Sequence, residues 1–424
     1  MSSSRLFFVF ALLAALALAA PSQVRRQGLA KRSFKVPRQL NTAHPTGPNG
    51  AVAMRKVFRK YNFVVKGDFA PFSRAATNGT ASTTAAGSNK TGSVAANPGP
   101  NAALFLSPVD VGGQTLNLDF DSGSSDLWMF STELPKASVG QHTAFDATKS
   151  TSFKKVTGSQ WKISYGDGSG AAGIVGMDTV TIGGVKVQNQ VVELANAVSQ
   201  SFVEDTDTDG LVGLAFSSLN TVNDGTKKTP AKTFFDNVMN DLDMPVFTAD
   251  LNPDGTGSYD FGKIDTTKIS AAMTWIPVKA ETGFWQFAST KFAVGDQMFQ
   301  NPQGSDAIAD TGTSLLLVDQ QVADAYYSQV KGAQLNAQVG GFIYPCAAAL
   351  PDISVAIGDN YMAKVPGSAI TFATVDKANT TCFGGVQGNQ GAGLQIFGDT
   401  MFKSQLVAFN GGNQSLGFAP KKGV

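Results

Sequence analysis

Two short segments hold the groups best suited to chemistry. One reads Leu-Asp-Phe-Asp-Ser-Gly-Ser-Ser-Asp-Leu-Trp from Leu118 to Trp128, and the other reads Ala-Ile-Ala-Asp-Thr-Gly-Thr-Ser-Leu-Leu-Leu from Ala307 to Leu317. Each has an apolar lead, an Asp, a hydroxyl residue, a Gly and a second hydroxyl residue. A lone Asp-Ser/Thr-Gly is usually a β-turn. Here Asp121 and Asp310 stand 189 residues apart, and each is followed by an apolar-apolar-Gly turn, Leu211-Val212-Gly213 at 92 residues and Ile396-Phe397-Gly398 at 88. Matched copies with matched sequels imply two lobes of one plan, meeting at their Asp loops.

Two carboxyl groups held together in a partly dry cleft cannot both ionise easily, so the pair keeps one proton between them. An ionised oxygen can take a proton from a water held there, while the protonated partner hydrogen-bonds a substrate carbonyl and polarises it. That is attack of water on an amide without covalent intermediate, metal or cofactor. The neighbours suit it. Gly123 and Gly312 allow close backbone approach. Ser124 and Thr313 can donate to the outer carboxylate oxygens, and Ser122 and Thr311 can brace the loops against each other, although all four could equally be turn caps. Other chemistries lack residues. The chain has two His, His44 and His142, neither in a motif, and two Cys, Cys346 and Cys382. No Cys/His zinc site can be assembled from them.

The elements that would position the pair are mostly strands. The 424 residues are 42% hydrophobic and 15% charged, with 45 Gly and 30 Phe. That is enough for two core-forming lobes. Val109–Phe120 reads as two strands around Gly112-Gly113, and Asp178–Leu194 repeats the pattern around Gly183-Gly184. Two helices are expected. Pro230 opens one, with Phe234, Phe235, Val238, Met239 and Leu242 on a face; Asp319 caps the other, with Val322, Tyr326 and Val330. The expected division is residues 91–290 for an N-terminal lobe with the inter-lobe region and residues 291–424 for a C-terminal lobe.

The start of the chain is different in kind. Arg5, the apolar run Leu6–Ala19 and Ala17-Leu18-Ala19 read as a secretory signal over residues 1–19. A membrane anchor is the alternative, but the run falls short of a span. Pro21–Lys90 carries 13 Lys and Arg against one acid, Asp68, whereas Thr91–Val424 carries 19 Lys, no Arg and 31 acids. A nucleic-acid-binding arm would look similar. On an exported chain this reads as a basic pro-segment over residues 20–90, lying on an acidic body until the carboxylates protonate. Ser73–Pro100 is an Ala/Thr/Ser/Gly/Asn linker, with cleavage expected near Arg74 or Lys90; Arg25-Arg26 and Lys31-Arg32 are further processing candidates. Sequons stand at Asn78, Asn89, Asn379 and Asn413. The expected product is a secreted, extracellular monomer, free of nucleic acid and membrane.

These motifs together resemble the pepsin-like aspartic proteinases, most closely the secreted fungal type of penicillopepsin and aspergillopepsin. The resemblance spans about Leu104 to Pro420. It is carried by DSGSSDLW at Asp121, SYGDGS at Ser164, DTDGLVGLAFSSLNTV at Asp207, FGKIDTTK at Phe261, IADTGTSLLL at Ile308, VPGS at Val365, IFGD at Ile396 and LGFAP at Leu416. It implies a mostly β, bilobal fold with pseudo-symmetric lobes around a cleft, and a zymogen that matures to an acid endopeptidase. By resemblance Asp121 and Asp310 are the catalytic dyad. Tyr165 and Gly166 lie at the tip of a hairpin flap, Trp128 supports that tyrosine, and Asp167 and Ser169 contact the substrate backbone. Phe202, Asp205 and Leu211 border the primary specificity pocket. Large apolar residues around the cut bond are implied, with Lys accepted through Asp167. Cys346 and Cys382 match the subgroup's single disulfide, as an even Cys count in an exported chain also favours. Lys60-Tyr61 resembles the pair with which family pro-segments reach the dyad. Partners are then protein and peptide substrates, the chain's own pro-segment and pepstatin-like inhibitors, with no cofactor and no metal. A fold-mate that only binds peptides would have lost a dyad Asp or the flap tyrosine, and neither is lost. A lipid-anchored relative would need a hydrophobic tail.

Overall fold

The computed structural model describes residues 32–40, 48–63, 105–164, 169–204 and 208–424. Both Gly-Gly pairs turn hairpins as expected. Gly112 and Gly113, at φ of 56° and 85°, join Phe105–Val111 to Gln114–Asp121 with Val111 opposite Gln114. Gly183 and Gly184 likewise join Gly170–Ile182 to Val185–Val198. Two successive left-handed residues match the strand twist, and glycine adopts them without strain.

The internal echo in the sequence is an echo in strand pairing. In the first half, Gln114–Asp121 runs parallel to Gly210–Gly213, with Asp121 opposite Gly213, and Leu127–Phe130 lies antiparallel on the other side of Gly210–Gly213. In the second half, Asp306–Ala309 runs parallel to Gln395–Phe397, and Leu316–Val318 lies antiparallel to it. The Asp310 amide continues that ladder, donating to the Phe397 carbonyl at 3.1 Å. The glycines after the apolar pairs have one cause in both halves. A Cβ at Gly213 would fall 2.4 Å from the Ser125 carbonyl carbon, and one at Gly398 2.1 Å from the Thr313 oxygen. Each glycine lets its strand press against an Asp loop.

A shared antiparallel platform joins the halves. Val246–Leu251 lies between Gly257–Phe261 and Gln405–Asn410, which continues into Ser415–Pro420 and Thr274–Pro277. Phe34–Leu40 adds a strand next to Gly257–Phe261 and bridges it to Phe105–Val111, so that one sheet of 13 strands runs through the molecule. Aromatic rings fill the seam: Phe247 stacks on Phe409 at 4.4 Å and Phe34 on Phe261 at 4.6 Å. The Trp285 indole N–H donates to the Leu214 carbonyl at 2.9 Å. The fold is mostly β with two similar halves about a cleft, the class that the resemblance implied.

Two helix expectations need correction. Pro230 does not open its helix. The helix is Phe234–Val238, started by the Thr233 side chain, which accepts from the Asp236 N–H at 3.1 Å, and residues 239–241 tighten into a 3₁₀ turn. Asp319 does precede Gln320–Tyr327, but Val330 lies beyond that helix, and the Asp319 carboxylate caps nothing. It instead accepts from Asn301 at 2.8 Å, Ser305 N–H at 3.1 Å and Asn389 at 2.9 Å. Cys346 and Cys382 are bonded, with Cα atoms 4.9 Å apart. Among the described residues no helix is long and apolar enough to cross a membrane.

Candidate active site

The two Asp loops meet between the halves. Ser122 N–H donates to Thr311 Oγ1 at 3.1 Å, and Thr311 N–H donates to Ser122 Oγ at 2.9 Å. Each hydroxyl then donates across the seam, Thr311 Oγ1 to the Phe120 carbonyl at 2.6 Å and Ser122 Oγ to the Ala309 carbonyl at 2.9 Å. All four groups are buried, so these bonds are shielded from water. The carboxylates are held in the same way. Gly123 N–H donates to Asp121 Oδ1 at 2.8 Å and Gly312 N–H to Asp310 Oδ1 at 3.0 Å. Ser124 Oγ donates to Asp121 Oδ2 at 2.5 Å, and Thr313 Oγ1 donates to Asp310 Oδ2. The glycines are sterically required. A Cβ at Gly123 would sit 2.6 Å from Asp310 Oδ1, and one at Gly312 2.5 Å from Asp121 Oδ1.

A single ammonium occupies the space between the carboxylates. Lys60 Nζ lies 2.6 Å from Asp121 Oδ1, and 2.8 and 2.9 Å from the two oxygens of Asp310. Tyr61 OH donates to Asp310 Oδ2 at 2.8 Å. Both residues are delivered by the helix Gly50–Lys60, which the sequence reading did not foresee. Asn49 caps it, accepting from Val52 N–H at 3.1 Å. Its buried face, Met54, Val57 and Phe58, packs on Ile308, Leu315, Leu317, Phe383 and Ile396 of the second half. The Arg59 guanidinium lies 5.0 Å above the Phe202 ring of the first half. The end of the helix therefore touches both sides of the cleft.

The electrostatics follow from burial and this one cation. Burial raises Asp121, and the Lys60 charge only partly offsets it, leaving that carboxyl at about 6. Burial pushes Asp310 upward too, but the Lys60 charge and the hydrogen bonds it accepts outweigh that and hold it below the usual carboxylate range. Lys60 is raised: burial opposes its charge, and two adjacent carboxylates more than compensate. In weak acid the site thus balances one ammonium against one carboxylate, with the other proton kept on the pair.

Around the plug lies a cleft of about 400 Å³, walled by Trp128, Phe130, Ile163, Phe202, Leu211 and Phe284. Trp128 is buried and packs against Phe130, Trp161 and Phe202 at ring separations of 5.8, 5.8 and 5.5 Å. Its indole N–H is buried with no hydrogen-bond partner. Ser169 is buried just before Gly170–Ile182. Phe130, Ile163 and Phe284 were not singled out from sequence; being ordinary apolar residues, they give no local signal. Tyr165, Gly166, Asp167, Asp205, Asn78, Asn89 and the expected signal 1–19 lie outside the described residues. Asn379 and Asn413 are exposed.

The model of the family described as eukaryotic aspartyl protease matches residues 105–421. The chain is 49% identical to penicillopepsin-1 of Penicillium rubens over 77% of this chain and 81% of that one. It is 47% identical to aspergillopepsin-1 of Aspergillus oryzae over 77% and 79%. With endothiapepsin of Cryphonectria parasitica the identity is 42% over 93% of this chain and 91% of the relative.

Proposed function

The chain belongs to the eukaryotic aspartyl proteases and is an aspartic-type endopeptidase acting on proteins and peptides, and from that premise we propose that Asp121 and Asp310 are its catalytic pair, made in a zymogen that Lys60 and Tyr61 hold shut. One observation carries the reading: two carboxylates on equivalent loops, each with the same two internal donors, converge on one ammonium. With Lys60 withdrawn, the pair would hold one proton and a water in its place. The ionised member takes a proton from that water as it adds to the scissile carbonyl carbon, and the protonated member donates to the carbonyl oxygen. The tetrahedral intermediate collapses as the carboxyl that took the water's proton gives a proton to the amide nitrogen, the other carboxylate takes one from a hydroxyl of the intermediate, and the C–N bond breaks, which restores the singly protonated pair.

The remaining assignments rest on the resemblance and on what surrounds the pair. Tyr165 is the flap tyrosine, with Gly166, Asp167 and Ser169 beside it, and the unpartnered Trp128 indole N–H is a donor that a phenol oxygen could satisfy. Phe202, Asp205 and Leu211 border a pocket for large apolar side chains, with Lys taken through Asp167. Residues 1–19 are the secretory signal, 20–90 the pro-segment and linker, 91–290 and 291–424 the two lobes. Secretion of a monomer with glycans on exposed Asn379 and Asn413 completes the reading.

The experiment is hydrolysis of a protein substrate across pH by wild type, Asp121→Asn and Asp310→Asn, with and without a pepstatin-like peptide. Each variant should lose about a thousandfold or more in rate while keeping its circular dichroism. The peptide should inhibit wild type, and a chelator should not. Near-normal hydrolysis by either folded variant would remove the pair from the mechanism.

A further inference from the structure

Behind the first Asp loop, two more carboxyl groups meet away from water. Asp126 ends the loop at 3% exposure, and Glu193, on Val185–Val198, is 1% exposed. One side chain brings them together. The Asn220 amide spans them, its Nδ2 3.1 Å from Asp126 Oδ1 and 2.7 Å from Glu193 Oε1. Thr221 adds its N–H at 2.7 Å and its hydroxyl at 3.0 Å to the same Asp126 oxygen. Asp126 is thus richly supplied with donors. Glu193 Oε2 is buried with none. An ionised Glu193 would leave a bare anionic oxygen beside a second carboxylate, which is costly without a paired cation. A protonated Glu193 removes that charge and leaves a proton for the pair.

We infer that Asp126 and Glu193 share one proton, resident on Glu193, and that this pair positions the first Asp loop and confines its docked state to acid and mildly acid solution. The inference deepens the reading above, because the loop carries Asp121, but its test reads folding and not hydrolysis. The anchoring is specific. Gly213 N–H donates to the Asp126 carbonyl at 2.9 Å, Ala215 N–H to the Ser124 carbonyl at 2.9 Å, and Ser125 Oγ to the Phe216 carbonyl at 2.7 Å. Asn220 also accepts from Val222 N–H at 3.2 Å and Ala231 N–H at 2.8 Å. The carboxyl pair is therefore the joint between the loop, the strand Val185–Val198 and the segment 214–231.

Few charges face this joint. Lys228, whose exposed ammonium donates to the Ser218 carbonyl at 2.7 Å, weakly favours ionised Asp126. Asp236, on the helix packed behind, accepts from Ser217 Oγ. The flanking strands set Val175 and Trp128 opposite Glu193, neither charged. Burial, reinforced by the Asp126 charge, raises Glu193 well above its ordinary value of 4.5. Burial also raises Asp126, with the Thr221 bonds pulling it partway back. A carboxyl raised on folding contributes stability that is complete below its ordinary value and lost as pH rises through the folded value.

The test uses the full chain carrying Asp121→Asn, so that it cannot cut itself, with urea unfolding followed by tryptophan fluorescence from pH 4 to 8. Glu193→Gln keeps a donor toward Asp126 and an acceptor for Asn220 without titrating. Its unfolding constant should rise more slowly with pH than the parent's, by up to about tenfold less per pH unit. Asp126→Asn gives Glu193 an amide neighbour and no charge but leaves it buried, and should flatten the profile in part. The infrared spectrum of the parent should keep a protonated-carboxyl band near pH 6.5. A folded variant with the parent's full pH dependence, or absence of that band from the parent, overturns the inference.

Discussion

Thr311 shows how much of the site depends on single hydroxyls. It accepts from Ser122 N–H at 3.1 Å and donates to the Phe120 carbonyl at 2.6 Å, with the residue 1% exposed. Thr311→Val keeps nearly the same volume but strands the buried Ser122 N–H, at a cost of about 1–3 kcal/mol, and leaves the Phe120 carbonyl with the Tyr259 hydroxyl, 3.1 Å away, as a remaining donor. Urea unfolding of the full chain should show a loss of about 1–3 kcal/mol, and turnover should fall, because the carboxylates are placed by the loops this residue ties together. Stability within about 0.5 kcal/mol of wild type would mean that the exchange is ornamental. Such residues were readable in sequence because the loop is local: Asp, hydroxyl, Gly and hydroxyl are adjacent, and the second copy supplied the partner. Asp126 and Glu193 were not readable. They are 67 residues apart, and no spacing rule links a loop acid to a strand acid.

At the scale of elements, the hairpins were legible because two successive glycines leave one good solution, and the repeated Asp-to-Gly offset proved to be a repeated parallel strand pair. The helix Gly50–Lys60 was not. Its apolar stripe is short, and its groove is made by strands drawn from residues 308–396, which no window around residue 55 contains. Proline at 230 misled for a related reason: a starting signal yields to a better cap, here Thr233. The groove gives a prediction. Phe58→Ala removes a buried ring worth about 3 kcal/mol of docking. The precursor should then process at a pH higher by about one unit or more, since each proton gives about 1.4 kcal/mol per unit. An unchanged processing midpoint, read by gel across a pH series, would show that the helix does not hold Lys60 in place. The bond between Cys346 and Cys382 ties another pair of elements, closing a separation of 36 residues. Replacing both by Ser should cost about 3–4 kcal/mol in urea unfolding.

For the whole molecule, the charge split and the plugged site act over different distances, and salt separates them. The Lys60 ion pairs are short and 84% or more enclosed on each side, with side-chain exposures of 16%, 1% and 0% for Lys60, Asp121 and Asp310. Added salt screens such pairs little. The attraction between 13 basic residues in Pro21–Lys90 and 31 acids in the remainder is long-ranged. It should weaken as the screening length drops from about 30 Å at 0.01 M to about 3 Å at 1 M. Acid acts on both. The Lys60–Asp310 contact is complete above the ordinary carboxylate value of 3.8 and is lost as pH falls through the lowered value of Asp310. Raising salt at fixed mild acidity should therefore speed shortening of the precursor and move its pH midpoint upward. At neutral pH, 1 M salt alone should not release it, because the buried ammonium remains between its two carboxylates. A midpoint indifferent to salt would reduce the basic segment to the reach of Lys60 and Tyr61. Release at neutral pH by salt alone would show that the buried pairs contribute little to keeping the precursor closed.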